Sequence, residues 1–343
     1  MDRKKLLITL AKIALSAGIL GYLIYSAVDT VEKRRAFLEM LQQPKIWGFL
    51  AAGLFALFSA IVITMVRWCF LVRALGIQFA VPDAIRIGFI GYLFNLAPMG
   101  IVTGDLLKAW ILAREKPGNQ AKSLASVVVD RIIGLYVLFL VAAAGVFITG
   151  FWHIPDPMVH RICWAVLIIT LASTVGITLV LLPGFLEGRL MQGLTRIPKI
   201  GAAIQSMLDA VLIYRSKRLV LVLTSIMTIP VHGLLAISLF LLALGLGFNR
   251  VPVSDYFAIY PISGILSAIP LPAGPAEMGI VFFYKTALLR ASNEMVKVAI
   301  AKQQGLILAL VYRLSTILIA PIGAAYYFLG GRGEVTEVLH EAG

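Results

Sequence analysis

The sequence predicts an all-α polytopic membrane protein: about six full transmembrane helices plus two broken re-entrant hairpins, set in an inverted repeat. The composition points there first. Apolar residues make up 60% of the 343 positions and charged residues only 14%, against about 25% charged in a soluble domain. Mean hydropathy is +0.94. The apolar residues are also gathered into runs long enough to cross a hydrocarbon core of about 30 Å. Two regions instead break at proline and glycine into pieces too short to span. A soluble globular protein, a disordered chain and a disulfide scaffold are all excluded.

The first apolar run covers 6–28, after Asp2-Arg3-Lys4-Lys5. A basic start followed by an apolar run also describes a signal peptide. This run exceeds a usual signal core and Ser26-Ala27-Val28 is a poor cleavage site, so it reads as a retained first helix. A polar stretch, 29–45, precedes a second span at 46–73. Residues 83–116 then form two short apolar pieces, broken at Pro98-Met99-Gly100. Proline removes a helix hydrogen bond and glycine loosens the backbone, which predicts a re-entrant hairpin buried in protein. Spans follow at 122–150 and 158–183. The polar segment 184–218 places Ile204, Met207, Leu208, Val211 and Leu212 at helical spacing. It reads either as an amphipathic helix on the cytoplasmic surface or as a solvated helical linker. A span at 219–246 leads to a second pair of short pieces, 255–269 and 275–290, broken at Pro270-Leu271-Pro272. The last span lies in 303–330.

The whole chain, 1–343, reads as one membrane domain. Repeat A covers about 46–150, a connecting helix and cytoplasmic segment 158–218, and repeat B about 219–330. Leu75-Gly76 matches Leu244-Gly245, and Val81-Pro82 matches Val251-Pro252. In both halves a carboxylate follows the proline break by seven residues: Pro98 to Asp105, and Pro270 to Glu277. With a cytoplasmic N-terminus, counting spans makes the first hairpin open inward and the second outward, which defines an inverted repeat. The C-terminus is then cytoplasmic too. Cytoplasmic segments hold 16 Lys and Arg, outer segments 9, the direction the positive-inside rule demands. Lys285, Arg290, Lys297 and Lys302 either weaken that bias or face a cavity instead.

Cys69 and Cys163 lie alone in apolar runs, and His153, His160, His232 and His340 are scattered. No zinc spacing exists, no phosphate-binding GxxxxGK[ST] loop appears, and no cofactor is expected. The net charge of +13 reads as membrane topology and affinity for anionic lipid rather than nucleic-acid binding.

Ionisable residues inside the membrane carry the functional signal, because each costs about 2.5–3.5 kcal/mol on the insertion scale. Asp130 and Arg131 sit about eight residues into their span and diverge by roughly 100° on a helix. They need separate partners, and Arg131 can reach Asp105. Asp105 and Glu277 each follow a break, where a carboxylate either caps the half-helix or serves a coupling cation or headgroup. The free N–H groups at such starts attract phosphate. Arg67 and Arg313 either snorkel to the interface or grip phosphate with two parallel hydrogen bonds. Asn95 either caps freed backbone groups near Pro98 or joins the site, and His232 reads as a packing residue.

The order Arg67-Trp68, Leu75-Gly76, Asn95, Pro98, Gly104-Asp105, Ser126 and Asp130-Arg131 resembles the flippase-like membrane domain of lysylphosphatidylglycerol synthases. That domain also occurs alone in bacterial and archaeal membrane proteins. Pro270-x-Pro272-Ala273-Gly274-x-x-Glu277 resembles the family's second motif, and Tyr312-Arg313 fits its last helix. Thr103, Ala273 and Pro275 stand where the family usually has glycine. The resemblance runs over about 8–330 and implies translocation of a polar lipid between leaflets. Its implied substrate-binding residues are Arg67, Asn95, Gly104, Asp105, Arg131, Gly274, Glu277 and Arg313. Pro98, Gly100, Asp130, Pro270 and Pro272 are implied as structural or hinge positions. The expected partners are membrane lipids, anionic phospholipid first, and the expected location is the cell inner membrane. The chain ends 13 residues after its last predicted span, so aminoacyl transfer is not expected and the protein is read as no enzyme. The alternatives are a membrane enzyme acting on lipid phosphates or lipid-linked sugars, and a transporter of a small solute.

Overall fold

A computed structural model describes residues 28–96, 101–182, 212–267, 274–292 and 296–330, with parts of 14–26. The expected breaks at Pro98, Gly100, Pro270 and Pro272 lie outside the described residues. So do most of the segment 184–218, the start of the first span and the tail. Among the described residues all regular structure is helical. Five helices are long and apolar enough to cross a membrane, and Ala17–Ser26 is a shorter apolar helix within the expected first span. The protein is a multi-pass all-α membrane protein.

The polar stretch before the second span forms α1, Val31–Gln42, capped by Thr30, whose side chain accepts the Lys33 N–H. Helix α2, Trp47–Ala74, runs antiparallel to α7, Arg218–Gly245. The Ile46 N–H donates to the Gly245 carbonyl at 2.9 Å, Ser238 Oγ donates to the Gly53 carbonyl at 2.8 Å, and Arg67 meets Thr228 further along. Apolar surface gains little from leaving lipid for another helix, so such pairs rely on close backbone approach. Gly53 supplies it: a Cβ there would lie 3.0 Å from Leu242 Cγ.

Both helices end alike. After α2, Leu75-Gly76 turns with Gly76 at φ 80°; after α7, Leu246-Gly247 turns with Gly247 at φ 82°. That left-handed conformation favours glycine. Leu246-Gly247 thus makes the same turn as Leu75-Gly76, two residues beyond Leu244-Gly245. Gly245 is still helical, pressed against Leu50.

Each turn feeds a pair of short helices. These are α3, Val81–Leu96, with α4, Ile101–Glu115, and α8, Val253–Leu266, with α9, Pro275–Ala291. At 1.5 Å per residue they are about 21–26 Å long, short of the roughly 30 Å core. Each pair packs on itself. Helix α5, Gln120–Ile148, follows the first pair and α10, Val298–Gly330, the second. α4 packs on α5 as α9 packs on α10, and α3 packs on α10 as α8 packs on α5. Two large hydrophobic cores result, beside a smaller one of Leu57, Met65, Phe89 and Ile319. One, with Trp68, Ile87, Ile111 and Val137, surrounds the first pair; the other, with Ile259, Phe283, Leu308 and Val146, surrounds the second.

Helix α6, Pro157–Leu181, is peripheral. Asp156 caps it by accepting the Met158 and Val159 N–H groups, with Pro157 at the first helical position, where a missing N–H costs nothing. Trp164, Ile168, Leu171 and Val175 are exposed on it, a face suited to lipid.

Candidate functional site

Between the two short-helix pairs lies a cavity of about 380 Å³. α2, α3, α4 and α5 contribute Trp68, Asn95, Lys108 and Arg131; α8, α9 and α10 add Tyr260, Glu277 and Arg313. Asn95, Arg131, Glu277 and Arg313 are thus brought together as the sequence motifs suggested.

Asp105 stands just behind this lining. It is the fifth residue of α4, past the first turn, so it does not cap that helix. It is buried, takes Lys108 Nζ at 3.1 Å, and is in direct contact with Arg131 Nε. The Arg131 side chain is half exposed and lines the cavity. Lys108 also lies 5.2 Å from the Trp68 ring centre. Sequence reading passed over Lys108. The signal was its place three residues after Asp105, one turn along the same face.

Asp130 and Arg131 diverge as their adjacency requires. Asp130 Oδ1 accepts from Arg67 Nε at 2.9 Å. Arg67 also donates to Thr228 Oγ1 at 2.8 Å and to the Asp130 carbonyl at 3.2 Å. Both side chains are only 4% exposed. Arg67 lies outside the cavity lining and does not snorkel. Seven residues before the end of α2, it is drawn inward because a buried guanidinium needs a counter-charge and acceptors. It ties α2, α5 and α7 together. Trp68 beside it donates its indole N–H to Ser126 Oγ at 3.2 Å.

Glu277 caps α9: its Oε2 accepts the Gly274 N–H at 2.6 Å, with Pro275 first in the helix. Its other oxygen, Oε1, lies 3.8 Å from Arg313 Nε. Gly274 has φ 115°, and a Cβ there would come within 2.9 Å of Ile19. Gly104 likewise serves packing. A Cβ on it would lie 2.0 Å from the Gly91 carbonyl and 2.5 Å from Asn95 Oδ1, so α3 and α4 cross backbone to backbone. The second pair repeats this at Gly279 against Ser263. Between the pairs and the long helices, Gly145 faces the Phe257 carbonyl and Gly323 the Phe89 carbonyl, each with room for no Cβ beyond 2.2 Å.

Lys285, Arg290, Lys297 and Lys302, for which a cavity is one of two readings, do not line this one. Arg290 instead holds both oxygens of Asp255 at 2.7 Å, joining the end of α9 to the start of α8. Arg86 and Glu115 join α3 and α4 at the equivalent place, with the charges reversed. His232 Nε2 lies 3.1 Å from the Gly134 carbonyl, a packing contact. Among the described residues no three of His, Cys, Asp and Glu gather as metal ligands.

A comparison with curated proteins gives no match. The family described as Lysylphosphatidylglycerol synthase TM region matches residues 9–323. That match spans nearly the whole chain, including all the cavity residues above and every long helix but the last turns of α10, so the chain belongs to the lysylphosphatidylglycerol synthase transmembrane-region family.

Proposed function

We propose that the protein moves a polar, anionic phospholipid between the two leaflets of the cell inner membrane, as a transporter and not as an enzyme. The two short-helix pairs act as re-entrant hairpins that enter from opposite sides, related by a twofold axis in the membrane plane. Both termini are cytoplasmic. What supports the repeat is that exchanging α2–α5 with α7–α10 carries every packing relation named above onto another. The glycine crossings follow the same exchange: Gly91·Gly104 with Ser263·Gly279, and Gly145·Phe257 with Gly323·Phe89.

The observation that carries the function is the cavity itself. Lys108, Arg131 and Arg313 meet Asp105 and Glu277 around it, an excess of one positive charge. In a low-dielectric surrounding that excess favours a phosphate, whose oxygens match guanidinium geometry. Near the bilayer midplane, between inverted repeats, is where transporters of this construction bind substrate. The test is leaflet exchange in proteoliposomes with a panel of headgroup-labelled lipids and a membrane-impermeant quencher. Protein-dependent exchange of phosphatidylglycerol ahead of phosphatidylcholine is expected. No exchange of any phospholipid would defeat the proposal.

A further inference from the structure

We infer that Arg131 and Arg313 are two alternative phosphate stations, each guarded by its own carboxylate and each beside its own lipid-facing helix edge. A lipid phosphate is handed from one to the other. This rests on the transport reading above and adds the path within the cavity.

Both arginines line one cavity, but they stand on helices that the repeat makes equivalent. Arg131 on α5 faces Asp105 on α4; Arg313 on α10 faces Glu277 on α9. Each pair bridges the second helix of its hairpin to the long helix that follows. A carboxylate that can release its arginine to a phosphate, and take it back, keeps a mid-membrane cation from standing unpaired. The carboxylates have second partners that make release tolerable. Asp105 keeps Lys108 at 3.1 Å, and Glu277 keeps the Gly274 N–H at 2.6 Å. Neither is left stranded when its arginine turns to a phosphate.

The lipid-facing edges follow from what stands next in sequence. Leu106, Ile132, Met278 and Leu314 follow the four charged residues directly. All four are 45–54% exposed, and none lines the cavity. Exposed apolar side chains at this depth face acyl chains. Leu106 and Ile132 therefore mark a bilayer-facing edge between α4 and α5, and Met278 and Leu314 one between α9 and α10. A lipid at either edge keeps its tails outside while its phosphate reaches the adjacent arginine. The two pairs are also unequal here: Arg131 touches Asp105, while Arg313 is 3.8 Å from Glu277.

The test measures binding of short-chain phosphatidylglycerol to the detergent-solubilised protein, with inorganic phosphate as competitor, and leaflet exchange of labelled phosphatidylglycerol after reconstitution. The variants are Arg131→Gln, Arg313→Gln and the double change, with Arg131→Lys and Arg313→Lys as charge-keeping versions should the glutamines fold poorly. Two alternative stations predict that each single change weakens binding only about twofold, by loss of one of two equivalent places. The double change weakens it about 10- to 100-fold, the worth of a hydrogen bond to a charged group. Exchange slows at least about tenfold in either single variant, because handover needs both. One single change abolishing binding while the other is silent would mean one station; both costing the full factor would mean one shared clamp. Either overturns the inference, as does normal exchange by both single variants. Displacement by inorganic phosphate as readily as by lipid would assign the stations to free phosphate instead, and overturn the lipid path. The expected binding pattern in a wild-type protein that exchanges nothing would defeat the transport reading while leaving the two stations in place.

Discussion

Asp130→Asn should be among the most destabilising conservative changes in this protein, with no direct effect on substrate binding. Arg67 donates to Asp130 Oδ1 at 2.9 Å, to the Asp130 carbonyl at 3.2 Å and to Thr228 Oγ1 at 2.8 Å, with both ionic side chains 4% exposed. The amide keeps the shape and still accepts a hydrogen bond, but it leaves a buried guanidinium without its counter-charge. Breaking one half of such a pair costs about 3–5 kcal/mol. At about 2–4 °C per kcal/mol the melting temperature should fall by roughly 6–20 °C. Thr228→Val removes one hydrogen bond to the same charge and should cost less, about 1.5–3 kcal/mol. Arg67→Met with Asp130→Leu removes both charges and should recover much of the loss, because a buried pair often only offsets its own desolvation. The assay is thermal unfolding in detergent followed by tryptophan fluorescence, with lipid exchange measured well below the melting point. An Asp130→Asn protein within about 1 kcal/mol of wild type would refute the clamp. One that melts normally yet fails to exchange lipid would return Arg67 to the binding site.

Gly104→Ala should cost more than the usual overpacking range of about 1–3 kcal/mol and abolish exchange, since its Cβ would lie 2.0 Å from the Gly91 carbonyl; Gly176→Ala, with nothing within 4 Å, should be silent in both assays. Glu277→Gln should cost below about 1 kcal/mol, because the amide still caps Gly274, whereas Glu277→Ala should cost about 0.5–2 kcal/mol; gradient-dependent exchange that persists in Glu277→Gln would show that this carboxylate carries no coupling proton. Asp255→Ala should lower the melting temperature by leaving Arg290 with the Thr149 carbonyl and the Phe151 ring face but no counter-charge, and the swap Asp255→Arg with Arg290→Asp should restore part of it, as the reversed pair Arg86–Glu115 implies; no recovery in the swap would mean that the pair is not a simple electrostatic latch.

Helix positions were legible because run length and its punctuation are local. The span expected at 46–73 is Trp47–Ala74, and that at 219–246 is Arg218–Gly245. The start of α9 at Pro275, with Glu277 as its cap, was also readable from three adjacent residues. The partner of Arg67 was not. An arginine beside a tryptophan near a span's end looks the same whether it snorkels or turns inward, and Asp130 is 63 residues away. Asp105 misled for a related reason. Its seven-residue spacing from Pro98 copies that of Glu277 from Pro270, but only Glu277 stands in a first turn. Gly104 resembled a place where backbone meets ligand, while its neighbour is another backbone. The ion pairs at the ends of the two short-helix pairs escaped notice because a repeat is sought as like residues in like places. An electrostatic link needs only opposite charges, and Asp255–Arg290 answers Arg86–Glu115 with the signs exchanged.

The central claim is that the cavity arginines bind a lipid phosphate in transit. Its most direct test is leaflet exchange of labelled phosphatidylglycerol by wild type, Arg131→Lys and Arg313→Lys, each matched for melting temperature. Lysine keeps the charge but loses the planar fork that holds two oxygens at once, so both variants should exchange at least about tenfold more slowly, equivalent to about 1.4 kcal/mol or more of barrier. Wild-type exchange rates in both lysine variants would contradict the account.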